Sequence, residues 1–333
     1  MQNKVKFGII GCSRIADSST IPAIKNSQFA ELKIIGSRSE QKAEKFAKKF
    51  DCELFGSYDD VIENDKVDSV YISLPVGLHE EWALKASEAG KHVLCEKSST
   101  ISYDSACKMV ESCKQNNVRI MEAFMFRFHP QHNEVLELTR KGFVGDLFTF
   151  TSSYGFPSIP RSDIRFNKEL GGGVLNDAGC YPICASRIVF GKEPEGVFCN
   201  LIVDEEMKVD TKATLFLKYK GMKFAQIAVG YGLFYQSTYS IWGTNGSLRL
   251  TRSYNIPSDM KATIILNSDK SKQEIIIAPT NHYVHMIDSF CKEIITDSFH
   301  GFDFEDDLLQ QAKVMQAARL SNNEHRFVKI DEI

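Results

Sequence analysis

The first 123 residues alternate short apolar runs with helical stretches, and this alternation restricts the possible folds more than any other feature of the chain. Residues 5–10 form a continuous apolar run of the kind a buried parallel strand requires. Further runs follow at 32–35, 69–75, 91–98 and 118–123, separated by helical stretches at 41–50, 59–64, 80–89 and 103–116. Gly90 stands where a left-handed residue would close the helix before it. Parallel strands need crossovers of about a dozen residues or more, usually helical. The spacing therefore predicts a doubly wound α/β domain.

The first strand ends in Gly8-Ile9-Ile10-Gly11-Cys12-Ser13-Arg14-Ile15-Ala16. Gly11-x-Ser13-x-x-Ala16 overlays the dinucleotide-binding spacing GxGxxG/A, with serine in the middle position. Gly11 permits a tight turn, a small residue at 13 lets main-chain N–H groups approach a pyrophosphate, and Ala16 lets the helix pack closely on the sheet. Arg14 and Ile15 belong to the same candidate cofactor loop. The second strand ends at Gly36-Ser37-Arg38-Ser39, with no acid to bind a ribose 2′-hydroxyl. Ser37 and Arg38 suit a 2′-phosphate, because guanidinium pairs with phosphate and stacks on adenine. Arg38 as a cap of the following helix is the alternative. NADP(H) is the expected cofactor, with NAD(H) second. Ligands bind outside the carboxyl ends of parallel strands, which places Leu74, Pro75 and His79 at the cofactor cleft and delivers Glu96 and Lys97 to the same edge.

From Phe124 the period changes. A helix at 130–141 and a strand at 147–154 lead into a loop containing Arg161 and Arg165, which either meet a substrate phosphate or are solvated. The loop reaches Gly171-Gly172-Gly173-Val174-Leu175-Asn176-Asp177-Ala178-Gly179-Cys180-Tyr181. A helix from Val174 would put Asp177 and Tyr181 at i and i+4 on one face, able to share a hydrogen-bond network with Lys97. The alternative is an aspartate favouring the helix dipole beside a packed tyrosine. Short strands at 197–203, 212–219, 223–229, 237–243, 247–250, 262–266 and 273–277, with turn residues such as Thr244-Asn245-Gly246, predict a mainly antiparallel sheet. Helices at 283–297 and 304–322 finish the chain. The expected domains are 1–122, binding dinucleotide, and 123–333, an α/β domain with a large open sheet. Met121, Met125 and the nearby phenylalanines are expected in core packing, and His129 is expected to be structural.

A net charge of -3, from 40 Lys+Arg against 43 Asp+Glu, offers no field for nucleic acid or an anionic membrane. Nine scattered cysteines without paired CxxC spacing argue against a metal site and for a reduced, cytoplasmic chain. The start runs directly into a strand, leaving no room for a signal peptide, and no apolar run approaches the ~20 residues that span a bilayer. A soluble protein with a small-molecule substrate is expected.

Together, the Gly8–Ala16 segment, the run Gly90-Lys91-His92-Val93-Leu94-Cys95-Glu96-Lys97 and the Gly171–Tyr181 segment resemble the Gfo/Idh/MocA oxidoreductases over nearly the whole chain. The run Met121-Glu122-Ala123-Phe124-Met125-Phe126-Arg127-Phe128-His129-Pro130 further resembles the branch containing glucose–fructose oxidoreductase, D-xylose dehydrogenase and dihydrodiol dehydrogenase. The resemblance implies hydride transfer at a carbinol or carbonyl of a sugar-like substrate. It also implies a homodimer or homotetramer built through the open sheet. Lys97 matches the lysine of the family's Glu-Lys-Pro motif, Tyr181 the acid/base, and Asp177 its hydrogen-bonding partner. Three positions depart from the pattern: Ser98 for proline, Ser13 for the second glycine, and Val76 where asparagine is usual.

A phenol with a pKa near ~10 is a poor base at neutral pH, but a neighbouring ammonium favours its phenolate. Tyr181 is therefore expected to exchange the proton, with Lys97 holding the oxygen and Asp177 orienting the group. A nucleotide-linked ketosugar reductase, a cofactor-binding regulator without turnover, and an enzyme recycling a tightly held cofactor between two sugars are the alternatives.

Overall fold

The computed structural model describes residues 4–269, 271–296 and 301–333. The chain forms two compact units, Met1–Met125 with His282–Leu309, and Phe126–Asn281 with Gln310–Ile333.

In the first unit, elements alternate as expected: β1 Val5–Ile10, α1 Ile21–Asn26, β2 Ala30–Gly36, α2 Glu40–Phe50, β3 Leu54–Gly56, α3 Tyr58–Glu63, β4 Ser69–Ile72, α4 His79–Glu88, β5 His92–Cys95, α5 Tyr103–Gln115 and β6 Ile120–Glu122. The six strands lie in the order β3-β2-β1-β4-β5-β6, every pair parallel. The strand order reverses at β1/β4, the switch point where open α/β sheets bind ligands. β1, β4 and β5 are almost wholly buried, with Phe7, Ile9, Val70, Ile72, Val93 and Leu94 inaccessible. This explains their unbroken apolar sequences. Ser39 caps α2 and Ser57 forms a reciprocal capping box with Asp60 on α3, so local polar residues set both helix starts.

The second unit contains α6 Pro130–Arg140, β7 Leu147–Phe156, α7 Cys180–Phe190, β8 Gly196–Val203, β9 Asp210–Tyr219, β10 Lys223–Tyr231, β11 Gln236–Gly243, β12 Gly246–Leu250, β13 Ala262–Ser268 and β14 Lys272–Ile277. After α8 His282–Thr296, which packs in the first unit, come α9 Phe304–Glu324 and β15 Val328–Lys329. The nine-stranded sheet runs β14-β13-β12-β11-β7-β10-β9-β8-β15 and is antiparallel except at β7/β10. Alternating burial along β9 and β10 gives one core face and one outward face.

Two corrections to the sequence expectation follow. The segment His282–Leu309 packs with the first unit instead of the second. Its physical cause is a tertiary ion cluster: Arg119, just before β6, grips Glu305 with Nε at 2.9 Å and Nη2 at 3.0 Å and meets the fully buried Glu293 at 3.1 Å. Phe290 of α8 also contacts Phe7 of β1, with ring centroids 6.2 Å apart. The edge strands β3 and β15 were not anticipated, since two or three residues are too short to show a period. The expected end of the helix at Asp297 lies outside the described residues.

The helix starts also differ from regular α geometry. Ala16–Thr20 and Leu175–Gly179 are π-helical turns. A proline follows each, Pro22 and Pro182. A proline ring clashes with the carbonyl four residues back, here Ser18 and Ala178, and a widened turn relieves that clash. Among the described residues no helix is long and apolar enough to cross a membrane.

Candidate active site

In the first unit, β1 delivers Gly11 at φ +107°, where a side chain would meet Leu74 at 2.8 Å and the Ser73 carbonyl at 3.0 Å. Only glycine fits so tight a turn beside β4. Ser13 Oγ accepts the N–H of Ala16 at 3.0 Å and starts the helical run that carries the half-buried Ile15 and the exposed Arg14. A glycine turn opening onto a helix start at the switch point is the cradle a dinucleotide pyrophosphate needs, so the residues present fit the cofactor.

At the end of β2, Ser37 is buried and Arg38 exposed. Ser37 Oγ accepts Ser39 N–H at 3.3 Å, and Arg38 lies against Tyr58, whose ring stands edge-on to Trp82 at 4.9 Å. Arg38 therefore does not cap α2, the role held by Ser39, whose side chain accepts from Lys42.

Leu74 and Pro75 are half-buried after β4. His79 is 1% exposed. Its Nε2 lies 2.8 Å from the Leu74 carbonyl, and its Nδ1 lies 3.1 and 3.2 Å from those of Ser98 and Ser99. The ring thus ties the β4 loop to the β5 loop. Burial pushes its pKa below the usual histidine range, against the carbonyls that favour the proton. The sequence places His79 at the cofactor cleft, and in the structure its ring nitrogens face these main-chain carbonyls.

β5 ends at Glu96 and Lys97, both half-buried. Tyr71 donates to Glu96 Oε1 at 2.6 Å and accepts from Thr20 at 3.0 Å, while the Lys97 N–H donates to Glu96 Oε2 at 3.2 Å. Burial raises the Glu96 pKa, opposed by the Tyr71 hydroxyl and by Lys97. The Lys97–Ser98 peptide is cis.

In the second unit, Asp177 lies within the π turn and Tyr181, 5% exposed, is in the first turn of α7. Rings of Phe126, Tyr154 and Tyr254 surround Tyr181 at 5.7, 5.4 and 5.5 Å between centroids. Asp177 Oδ2 accepts from Arg165 Nε at 2.7 Å and from Tyr231 OH at 3.4 Å. Arg165 is therefore not a solvated loop residue, and Arg161 pairs with Asp204 and Glu206. Below the turn, Asp210 accepts the Leu175 N–H at 2.6 Å, and Arg319 bonds Asn176. Tyr231, Asp210 and Arg319 were missed because each is an ordinary residue of a strand or helix. Nothing local in the sequence marks them.

A glycine turn opening onto a helix start at the switch point of a parallel sheet is the kind of site that binds a dinucleotide. Residues 5–124 match the oxidoreductase family with an NAD-binding Rossmann fold, and residues 132–249 match the GFO/IDH/MocA C-terminal domain. The chain belongs to this family. It is similar to a dTDP-3,4-didehydro-2,6-dideoxy-alpha-D-glucose 3-reductase of Saccharopolyspora spinosa, 30% identical over 95% of this chain and 97% of that protein. It is also similar to the D-xylose 1-dehydrogenase (NADP(+)) 2 of Haloferax volcanii, 31% identical over 90% of this chain and 92% of the other. The crystal structure of a 3-ketoreductase from Actinomadura kijaniata in complex with NADP and TDP-benzene superposes with a TM-score of 0.92, at 30% identity, covering 96% of this chain and 98% of that one.

Proposed function

We propose that the protein moves hydride between NADP(H) and a carbinol or carbonyl carbon of a sugar-like substrate, with Tyr181 as acid/base and Lys97 holding the reacting oxygen. The observation that carries this reading is the buried Tyr181 sharing a widened helix start with a charge-paired Asp177, in a chain of an oxidoreductase family. When bound, the nicotinamide supplies or accepts the hydride. Gly11, Ser13, Arg14 and Ile15 would hold the pyrophosphate, and Ser37 with Arg38 the 2′-phosphate. Leu74, Pro75 and Glu96 would border the nicotinamide half, with His79 fixing their loops. Lys97 favours the Tyr181 phenolate as the hydroxyl proton leaves, and reduction returns that proton from the same phenol.

Within sugar-like substrates, nucleotide-linked ketosugars are favoured by the 3-reductase and 3-ketoreductase relatives, and free aldoses by the D-xylose dehydrogenase. The same reading includes pairing of copies through the outward face of the large sheet. There Phe148, Phe198, Phe216 and Trp242 are 44%, 43%, 36% and 61% exposed, an apolar surface of the kind that marks association.

The test is fluorescence titration with NADPH and NADH, then assays with TDP-linked ketosugars and aldoses. Preferential NADPH binding and turnover of one sugar class are expected, with Tyr181→Phe and Lys97→Ala each slowed by roughly 10²–10⁴-fold. Near-wild-type turnover in both variants would remove the assignment, and tight NADH binding would overturn the cofactor choice.

A further inference from the structure

The loop before α7 is built around Arg165. In the short turn Ile164–Phe166, Asp163 Oδ1 accepts both the Arg165 main-chain N–H and its Nη1, each at 3.1 Å. Gly173 N–H donates to the Arg165 carbonyl at 2.9 Å, which locks the arginine's backbone to the start of the π turn. The guanidinium then reaches Asp177 with Nε at 2.7 Å. From the other side, β10 brings Tyr231 OH to the same Asp177 oxygen at 3.4 Å. Phe166, the residue after Arg165, packs on the Tyr231 ring with centroids 5.8 Å apart. Arg165 and Asp177 side chains are 27% and 17% exposed, so their bond is only partly screened by water.

A carboxylate gripped this way is a fixed acceptor. It cannot rotate toward solvent without depriving Arg165 Nε of its acceptor, and Asp163 binds a different nitrogen, Nη1. We propose that Arg165 and Tyr231 are positioning residues of the reaction: they hold the Asp177 carboxylate in one orientation on the helix that carries Tyr181. The proposal rests on the role given to Asp177 and Tyr181 above, and it makes Arg165 a reaction determinant and not a phosphate ligand of the substrate.

Two kinds of experiment test it. Crystal structures of full-length Arg165→Met and Arg165→Lys proteins read the geometry without any substrate. Asp177 is expected to change rotamer in Arg165→Met and to stay in place in Arg165→Lys; an unmoved Asp177 in Arg165→Met overturns the proposal. The second reads turnover of a TDP-linked ketosugar with NADPH and of D-xylose with NADP+. Misplacement of a reacting group by ~1 Å costs about 10²-fold, so Arg165→Met should lower kcat by roughly that factor with the NADPH Kd unchanged. Arg165→Lys should retain most of kcat, and Tyr231→Phe should lose only a few-fold, because its bond is long. Added guanidinium ion should restore part of kcat to Arg165→Ala, whereas the same concentration of sodium should not, and a merely structural arginine would show neither effect.

Asp177→Asn separates the two levels. If Asp177→Asn is impaired and Arg165→Met is not, the positioning role fails while the reading of the site stands. If Asp177→Asn is as active as wild type, both fall. If wild type turns over neither probe, the substrate class fails, and the Asp177 rotamers still decide the positioning role.

Discussion

Asp210 Oδ2 accepts the main-chain N–H of Leu175 at 2.6 Å, while its Oδ1 occupies the space where a side chain on Gly173 would begin. The carboxylate therefore reads the start of the π turn directly, and Gly173, at φ +115°, is the residue that lets it approach. Gly173→Ala combines a forbidden backbone region with a collision. It should lower stability by about 1–3 kcal/mol and slow turnover while leaving NADPH affinity intact. Urea unfolding and cofactor titration of the variant check both halves, and a wild-type midpoint would contradict the account.

Arg119 offers a second test, on the first unit. It compensates Glu293, which is 0% exposed, and Glu305, which is 9% exposed. Removing one partner of a buried ion cluster costs about 3–5 kcal/mol, and the 31% exposure of Arg119 places Arg119→Met toward the lower end. Adding Glu305→Gln to Arg119→Met should recover part of the loss, because one uncompensated carboxylate disappears. Strict additivity in denaturant unfolding would argue against the cluster.

Glu96 should make stability depend on pH. Burial holds its folded pKa above the unfolded value near ~4.3, so the folded protein binds more protons than the unfolded chain. Its contribution is complete below that unfolded value and is lost as pH rises through the folded pKa. Unfolding free energies of wild type and Glu96→Gln, measured from about pH 4 upward, should move in the variant's favour as pH rises. A difference that does not change with pH would show that Glu96 does not titrate this way.

Arg38 addresses cofactor choice. A hydrogen bond to a charged group contributes about 1.5–3 kcal/mol, so Arg38→Ser should weaken NADPH binding by roughly 10- to 100-fold and leave NADH binding nearly unchanged. Equal losses for both cofactors would mean that Arg38 supports the loop and does not bind the 2′-phosphate.

The sequence by itself determined the parallel domain and the loops at its edge. Strands such as Val5–Ile10 are buried on both faces and so are apolar throughout, and the turn at Gly11 admits only glycine; both constraints act within a few residues and leave a local signature. It also placed Lys97, Asp177 and Tyr181 in motifs, because each follows a strand end or a glycine run. What the tertiary structure decided is who holds these residues. Arg165, Tyr231, Asp210 and Arg319 reach the Asp177 turn from a loop, two strands and the last helix. Glu293 and Glu305 draw residues near the end of the chain onto Arg119. A charge-assisted bond between residues 12, 54 or 186 positions apart has no period and no fixed spacing, so it exists only once the backbone has brought its two ends together.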